Sequence, residues 1–223
     1  MDWSFIGQHI PDYLSGAGVT LRFGLYGVGC SLLVGLICCL CRYFRVPVFT
    51  WLARLYTELA RNTPLLVQLF FLYAGLPRVG VKLSADACAV IGLTFLGGAY
   101  MAEAFRSGLE SVDQTQKEAG ECIGLTRGQN IRYVLLPQAL ATAVPAIFAN
   151  VIFLIKETSM FSVLAMMDLM NVADTLRTSG GRTVEVLFML AAAYLLILMP
   201  VSLIAYWVER RLRYAGFGDQ RPV

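Results

Sequence analysis

The stretch EAGECIGLTRGQNIRYVLLPQA, residues 118–139, is charged and punctuated by glycine, and it lies between two strongly apolar runs. Residues 114–122 form a good helical stretch with Lys117, Glu118 and Glu121 exposed. Gly124 then permits a sharp backbone turn. Thr126 is placed to cap a second short helix by accepting an orphan backbone N–H. Pro137 sits where a helix can start, because its missing N–H costs nothing there. The segment therefore reads as a helix-turn-helix at the membrane surface, long enough to be presented to another protein.

The rest of the chain reads as lipid-embedded. Of 223 residues, 57% are hydrophobic and 15% charged, whereas a soluble domain carries roughly 25% charged residues. A net charge of +3 is too small to suggest nucleic acid. The opening MDWSFIGQHI has no basic n-region, so no cleavable signal peptide is expected. Six cysteines are present, with Cys38, Cys39 and Cys41 clustered, but no fourth ligand follows at metal spacing and the single histidine, His9, is remote. They read as small buried hydrophobes, with neither a metal site nor a disulfide framework.

A bilayer core needs about 20 apolar residues per helix, and five runs qualify, at about 18–41, 55–76, 87–105, 138–155 and 184–208. The second is interrupted by Glu58, Arg61 and Asn62, and the second and fourth contain Pro64 and Pro145. Arginine and lysine concentrate in alternate connections: Arg42, Arg45, Arg54 and Arg61, then the 106–137 loop, then Arg210, Arg211, Arg213 and Arg221. The positive-inside rule places these in the cytoplasm. The expectation is a single all-α integral membrane domain over 1–223, five transmembrane helices, N-terminus out and C-terminus in, with the loop of about 106–137 cytoplasmic. Residues 160–167 are too short to span and suit a re-entrant or interfacial half-helix. Residues 171–183 read as an extracytoplasmic loop closed by a Gly180-Gly181 turn. There is no internal repeat, which suggests half of a pathway completed by dimerisation.

The loop resembles the cytoplasmic motif of bacterial ABC importer permease subunits: E-A-A, three residues, G, nine residues, I, one residue, L-P. Here it is Glu118-Ala119-Gly120, Gly124, Val134 and Leu136-Pro137 at the same spacing, with Gly120 and Val134 as departures. The segment YTELARNTPLLVQ from Tyr56, GGAYMAEAFRSGLESV from Gly97, LLPQA, and KETSM from Lys156 are similar to motifs of the polar amino-acid branch of that family. The resemblance implies the type I ABC importer permease fold and a transport subunit, not an enzyme. It implies a second permease subunit, as a homodimer or a related chain, and a cytoplasmic ATPase dimer that carries ATP and Mg. It also implies an extracytoplasmic binding protein delivering a polar amino acid, a location in the bacterial inner membrane, and no cofactor in this chain. No G-x-x-x-x-G-K-[ST] phosphate loop occurs in the sequence.

Under that reading Glu118 is the charged contact to the ATPase. Ala119, Gly120 and Gly124 act by being small, and Val134, Leu136 and Pro137 fix the return into the membrane. Candidates for the substrate pathway are Arg61, Asn62, Thr63 and Gln68 in the second span, Tyr100 and Glu103 in the third, and Lys156, Glu157, Thr158 and Ser159 after the fourth. An amino acid carries a carboxylate and an ammonium, and these side chains supply matching donors and acceptors. Each also has a structural reading: Glu103 and Arg106 are three apart and can pair on one helix face, and Tyr100 can simply pack. An ion-gradient-driven secondary carrier or exporter, and a membrane scaffold, are the competing functions.

Overall fold

The computed structural model describes residues 1–180 and 182–212, and the regular elements among them are all helical. Gly181 and residues 213–223, including Arg213 and Arg221, lie outside the described residues. In chain order the helices are α1 (Trp3–Tyr43), α2 (Pro47–Arg61), α3 (Leu65–Phe70), α4 (Ala85–Glu110), α5 (Gln114–Cys122), α6 (Arg127–Asn130), α7 (Leu136–Glu157), α8 (Leu169–Gly180) and α9 (Thr183–Leu212). Among the described residues, four helical runs are long and apolar enough to cross a bilayer: α1, α4, the run Arg127–Leu164 that contains α6 and α7, and α9.

The bundle is built on α4. Against α1 the successive contacts are Gly27 on Leu93, Ser31 on Gly97 and Gly35 on Met101, so the two helices run in the same direction. The approach is backbone-close: a Cβ on Gly35 would lie 2.5 Å from the Met101 Cβ and 2.8 Å from the Ala102 amide. Small residues permit such packing between apolar helices, where the hydrophobic effect cannot drive association within lipid. Helix α7 runs antiparallel to α4, with Gly108 against Ala139 and the Asn150 amide donating to the Tyr100 carbonyl at 3.1 Å. Leu69, Leu93, Met101, Leu154 and Phe161 fill the main core, joined by Cys88.

The second expected span is not one helix. It starts earlier, at Pro47, and breaks at Asn62-Thr63-Pro64 before resuming as α3. Pro64 has no N–H to give the Ala60 carbonyl, and its ring drives Thr63 out of the helical region. The Gln68 side chain replaces the lost donor: its Nε2 lies 3.2 Å from the Ala60 carbonyl and 2.9 Å from the Thr63 hydroxyl. In lipid such an orphan carbonyl would cost several kcal/mol.

Two further prolines are absorbed by widening the helix. Residues Phe71–Gly75 and Ile131–Leu135 each form a π turn, closed by i→i+5 bonds from Leu76 to Phe71 and from Leu136 to Ile131. Each is followed by Leu-Pro, at Pro77 and Pro137. A proline clashes with the carbonyl four residues back, and one extra residue in the turn removes that conflict. Pro137 lies in the first turn of α7, as its sequence context suggested, and the π turn joins α7 to α6 in one helical run.

Residues 171–183 also differ from the expected loop, because most of them belong to α8. Asp168 supplies the start signal, its carboxylate accepting from the amides of Met170 and Asn171 at 3.4 and 3.1 Å. Leu169, Val172 and Ala173 then pack with Tyr13, Val186 and Met189 into a second core at the end of the bundle opposite the 106–137 loop. The 160–167 segment is mostly a 3₁₀ turn, Thr158–Leu164, ended by Ala165 at φ 55°. Asp168 is fully buried. Asp168→Ala is therefore expected to cost at least the ~1 kcal/mol of a lost cap, and Asp168→Asn, which keeps the acceptor, less than half as much. Thermal unfolding of the purified variants checks the order.

Candidate functional site

Two places gather the residues singled out from the sequence. The first is the turn between α5 and α6. Asp113 caps α5, accepting from the Thr115 amide at 2.9 Å, and hydrogen bonds from Thr115, its hydroxyl first, hold the carboxyl below the usual range. Glu118 and Ala119 are exposed on α5. The helix ends in a Schellman motif: the Leu125 amide donates to the Gly120 carbonyl at 3.1 Å and the Gly124 amide to Glu121 at 3.0 Å. Gly124 has φ 84°, the left-handed conformation this motif demands. Thr126 starts α6 with a full capping box, its amide donating to the Gln129 side chain at 2.9 Å. Val134 is half-buried in the π turn, Leu136 is exposed and Pro137 is half-buried.

Gly120 is buried, and the reason is Asn130. A Cβ on Gly120 would lie 2.5 Å from the Asn130 Oδ1, while the Asn130 Nδ2 donates to the Lys117 carbonyl at 2.7 Å. Asn130 thus clips α6 against α5 through space that an alanine at 120 would occupy. Nothing in the linear motif pointed to Asn130; its only signal was a polar residue at the position where a second helix should face back on the first.

The second place is a cavity of about 470 Å³ at the α2–α3 break, lined by Arg61, Asn62 and Thr63, by Leu96 and Tyr100 of α4, and by Phe153, Glu157 and Met160. Five of the expected pathway residues meet here: Arg61, Asn62, Thr63, Tyr100 and Glu157. Arg61 stacks over the Tyr100 ring, 5.6 Å from its centroid. Gln68 lies behind the break in its structural role, although its Oε1 is buried without a hydrogen-bond partner among the described residues. Glu103 is next to the cavity rather than in it. Its carboxylate binds Arg42 at 2.5 Å and Arg106 at 2.6 Å, with Arg61 at 3.9 Å. Arg42 was invisible as a partner in the sequence because it lies 61 positions away. Lys156 is exposed away from the cavity. Thr158 is fully buried and donates to the Ile155 carbonyl at 2.7 Å. The Ser159 carbonyl accepts from Ser162 at 3.1 Å.

The family model described as the binding-protein-dependent transport system inner membrane component matches residues 29–214. The chain belongs to that family. It is 35% identical to a probable amino-acid ABC transporter permease protein, PatM, of Vibrio harveyi, over 96% of this chain and 97% of the relative. It is 34% identical to the glutamine transport system permease protein GlnP of Escherichia coli K12, over 95% and 98%. A solved amino acid ABC transporter superposes with a TM-score of 0.88 at 32% identity, covering 95% of this chain and 99% of the other. The inward-facing MetNI methionine ABC transporter shares the fold, at a TM-score of 0.70 and 18% identity. The chain is therefore an ABC importer permease subunit, a multi-pass membrane protein and a transport component rather than an enzyme. An ion-gradient carrier finds no support among these relatives.

The Asn130 clip makes a sign-reversal test. In the natural chain Gly120→Ala restores the commoner motif residue and gains about 1 kcal/mol of helix propensity, but overpacks against Asn130 at a typical cost of 1–3 kcal/mol. The melting temperature is expected to fall or stay level. On an Asn130→Ala background the same change is expected to raise it, and the four-variant cycle measures the coupling.

Proposed function

We propose that this permease imports a polar amino acid, received from an extracytoplasmic binding protein, through the cavity at the α2–α3 break. The observation that carries the proposal is the pairing of opposite charges there: Arg61 from one helix end and Glu157 from the other side of the same cavity. They match the carboxylate and ammonium of a zwitterion. The volume falls within the usual 300–1,000 Å³ of small-molecule sites. A discontinuous helix is tolerated at membrane depth only where it packs in protein or lines a cavity, and broken helices form the substrate sites of many transporters.

The proposed topology has five crossings with the N-terminus out and the C-terminus in the bacterial cytoplasm. The same-direction packing of α1 and α4 supports it, since the chain must return across the membrane between them, and α2 with α3 is the available path. The charges of α1 support it as well. Residues 23–41 carry none, and Arg22 and Arg42 bracket them, separated by about 30 Å of helix, one hydrocarbon thickness. Arg22 rests on Phe23 and Tyr26, 5.4 and 5.9 Å from their ring centroids. The α5–α6 turn is then cytoplasmic, where Glu118 contacts the ATPase subunits that hold ATP and Mg. A second permease subunit, a copy or a related chain, completes the pathway.

Two outcomes test these roles in reconstituted transporter. Glu118→Lys is expected to abolish uptake while binding-protein affinity for substrate is unchanged; full uptake by this variant excludes the coupling role. Glu157→Gln and Arg61→Gln are each expected to lower uptake at limiting substrate at least tenfold with the ATPase still bound, the cost of leaving one charge of a zwitterion unpaired. Wild-type uptake in both would move the substrate path elsewhere.

A further inference from the structure

Beyond the import pathway, we propose that the cavity between the end of α1 and the start of α2 binds the phosphate of an anionic phospholipid headgroup. The cavity holds about 620 Å³ and is lined by Arg42, Tyr43, Arg45, Thr50, Arg54 and Glu110. An adjoining smaller space adds Arg106 and Leu109. Four arginines thus line these spaces with one carboxylate, Glu110, while Glu103 lies outside the lining, and the pairing is uneven. Arg42 is bound to Glu103, and Arg106 to both Glu103 and Glu110. Arg45 and Arg54 form no ion pair among the described residues. Two uncompensated guanidinium groups facing one polar cavity fit a phosphate oxyanion, which arginine holds through paired N–H donors.

The backbone singles out Arg45. Helix α1 closes with the same Schellman bonds as α5, Val46 amide to Cys41 carbonyl at 3.1 Å and Arg45 amide to Arg42 carbonyl at 3.3 Å. In α5 the left-handed position is a glycine, Gly124; in α1 it is Arg45, at φ 52°. An L-residue in that conformation costs about 1–2 kcal/mol, and residues held in such conformations cluster at ligand sites. Thr50, whose hydroxyl donates to the Cys41 carbonyl at 2.9 Å, fixes the first turn of α2 beside it. Among the described residues, no side chain caps that turn.

The surroundings select a lipid over a free ion. Phe44, Val48, Phe49, Trp51 and Leu52 are all exposed next to the cavity. This apolar, aromatic rim suits acyl chains and the interfacial belt, with the phosphate drawn inward to the arginines.

The test uses the purified complex of full-length permease with its cognate subunits in detergent. Native mass spectrometry and thermal unfolding are read with added phosphatidylglycerol, phosphatidylcholine or inorganic phosphate. Phosphatidylglycerol is expected to be retained and to raise the melting temperature, and phosphatidylcholine to do neither. Arg45→Gly and Arg54→Gln are each expected to weaken phosphatidylglycerol binding about fivefold, the rough worth of one basic residue at an anionic leaflet. Arg45→Gly relieves the backbone, so the lipid-free melting temperature should not fall, which separates lost binding from misfolding. Lys82→Gln, at the other end of the bundle, should change nothing. Unchanged phosphatidylglycerol binding in both arginine variants, or equal stabilisation by phosphatidylcholine, overturns the proposal. Stabilisation by inorganic phosphate alone, without retained lipid, overturns the lipid as the source of the phosphate.

Discussion

The Ala60 carbonyl has to be hydrogen-bonded without the N–H that Pro64 lacks, and much of the molecule follows from how that is done. In water the group would be solvated at little cost; inside a bilayer it must find a protein donor. Gln68 reaches back across the break to supply it, and the Thr63 hydroxyl satisfies the Leu59 carbonyl at 2.8 Å. With the carbonyls satisfied, the chain can stay open at Asn62–Pro64 instead of closing into a helix. That opening is where Arg61, Asn62 and Thr63 meet Tyr100 and Glu157. Gln68 and Thr63, read from sequence as pathway groups, are first the reason a cavity exists there.

The prolines at 64, 77 and 137 show that sequence context alone does not fix what a proline does. Pro64 follows Asn62-Thr63, whose side chains compete for backbone partners, and the helix breaks. Pro77 and Pro137 each follow a leucine that closes a π turn; after Pro137 the chain continues as α7, whereas after Pro77 it ends in a short 3₁₀ turn at Gly80, φ 92°. Periodicity distinguishes none of these outcomes: residue 137 reads as a helix start from sequence and lies in the first turn of α7, but the π turn before it, which sequence did not suggest, joins that helix to α6. The 171–183 segment misleads for the opposite reason. Its polar residues suggest a loop, yet Leu169, Val172, Ala173 and Leu176 fall on one face, and a buried surface on α1 and α9 covers that face. Only tertiary packing turns so weak a pattern into a helix.

The α5–α6 turn was more legible, because its constraints are local. A left-handed residue ends α5 and a hydroxyl begins α6, and both needs are written at single positions, Gly124 and Thr126. What linear spacing could not carry was the contact across the turn. Asn130 stands ten residues beyond Gly120 and fills the volume of the missing methyl. The departure from the usual motif is therefore one half of a pair, and the stiffness lost with alanine is offset by a side-chain clip to Lys117.

Glu103 joins the two halves of the permease in the same non-local way. One carboxylate, four-fifths buried, is shared by Arg42 of α1, Arg106 of its own helix and, at longer range, Arg61 of α2. Arg106 is also bound by Glu110, while the other two cations extend to opposite sides of α4. On one side Arg61 lines the cavity at the helix break, and on the other Arg42 lines the cavity at the end of α1. Breaking a buried pair leaves an uncompensated charge and is far costlier than the pair is stabilising. The register of α1, α2 and α4 is consequently pinned at this carboxylate, and the small-residue contacts at Gly27, Ser31 and Gly35 set the close approach that lets Arg42 reach it.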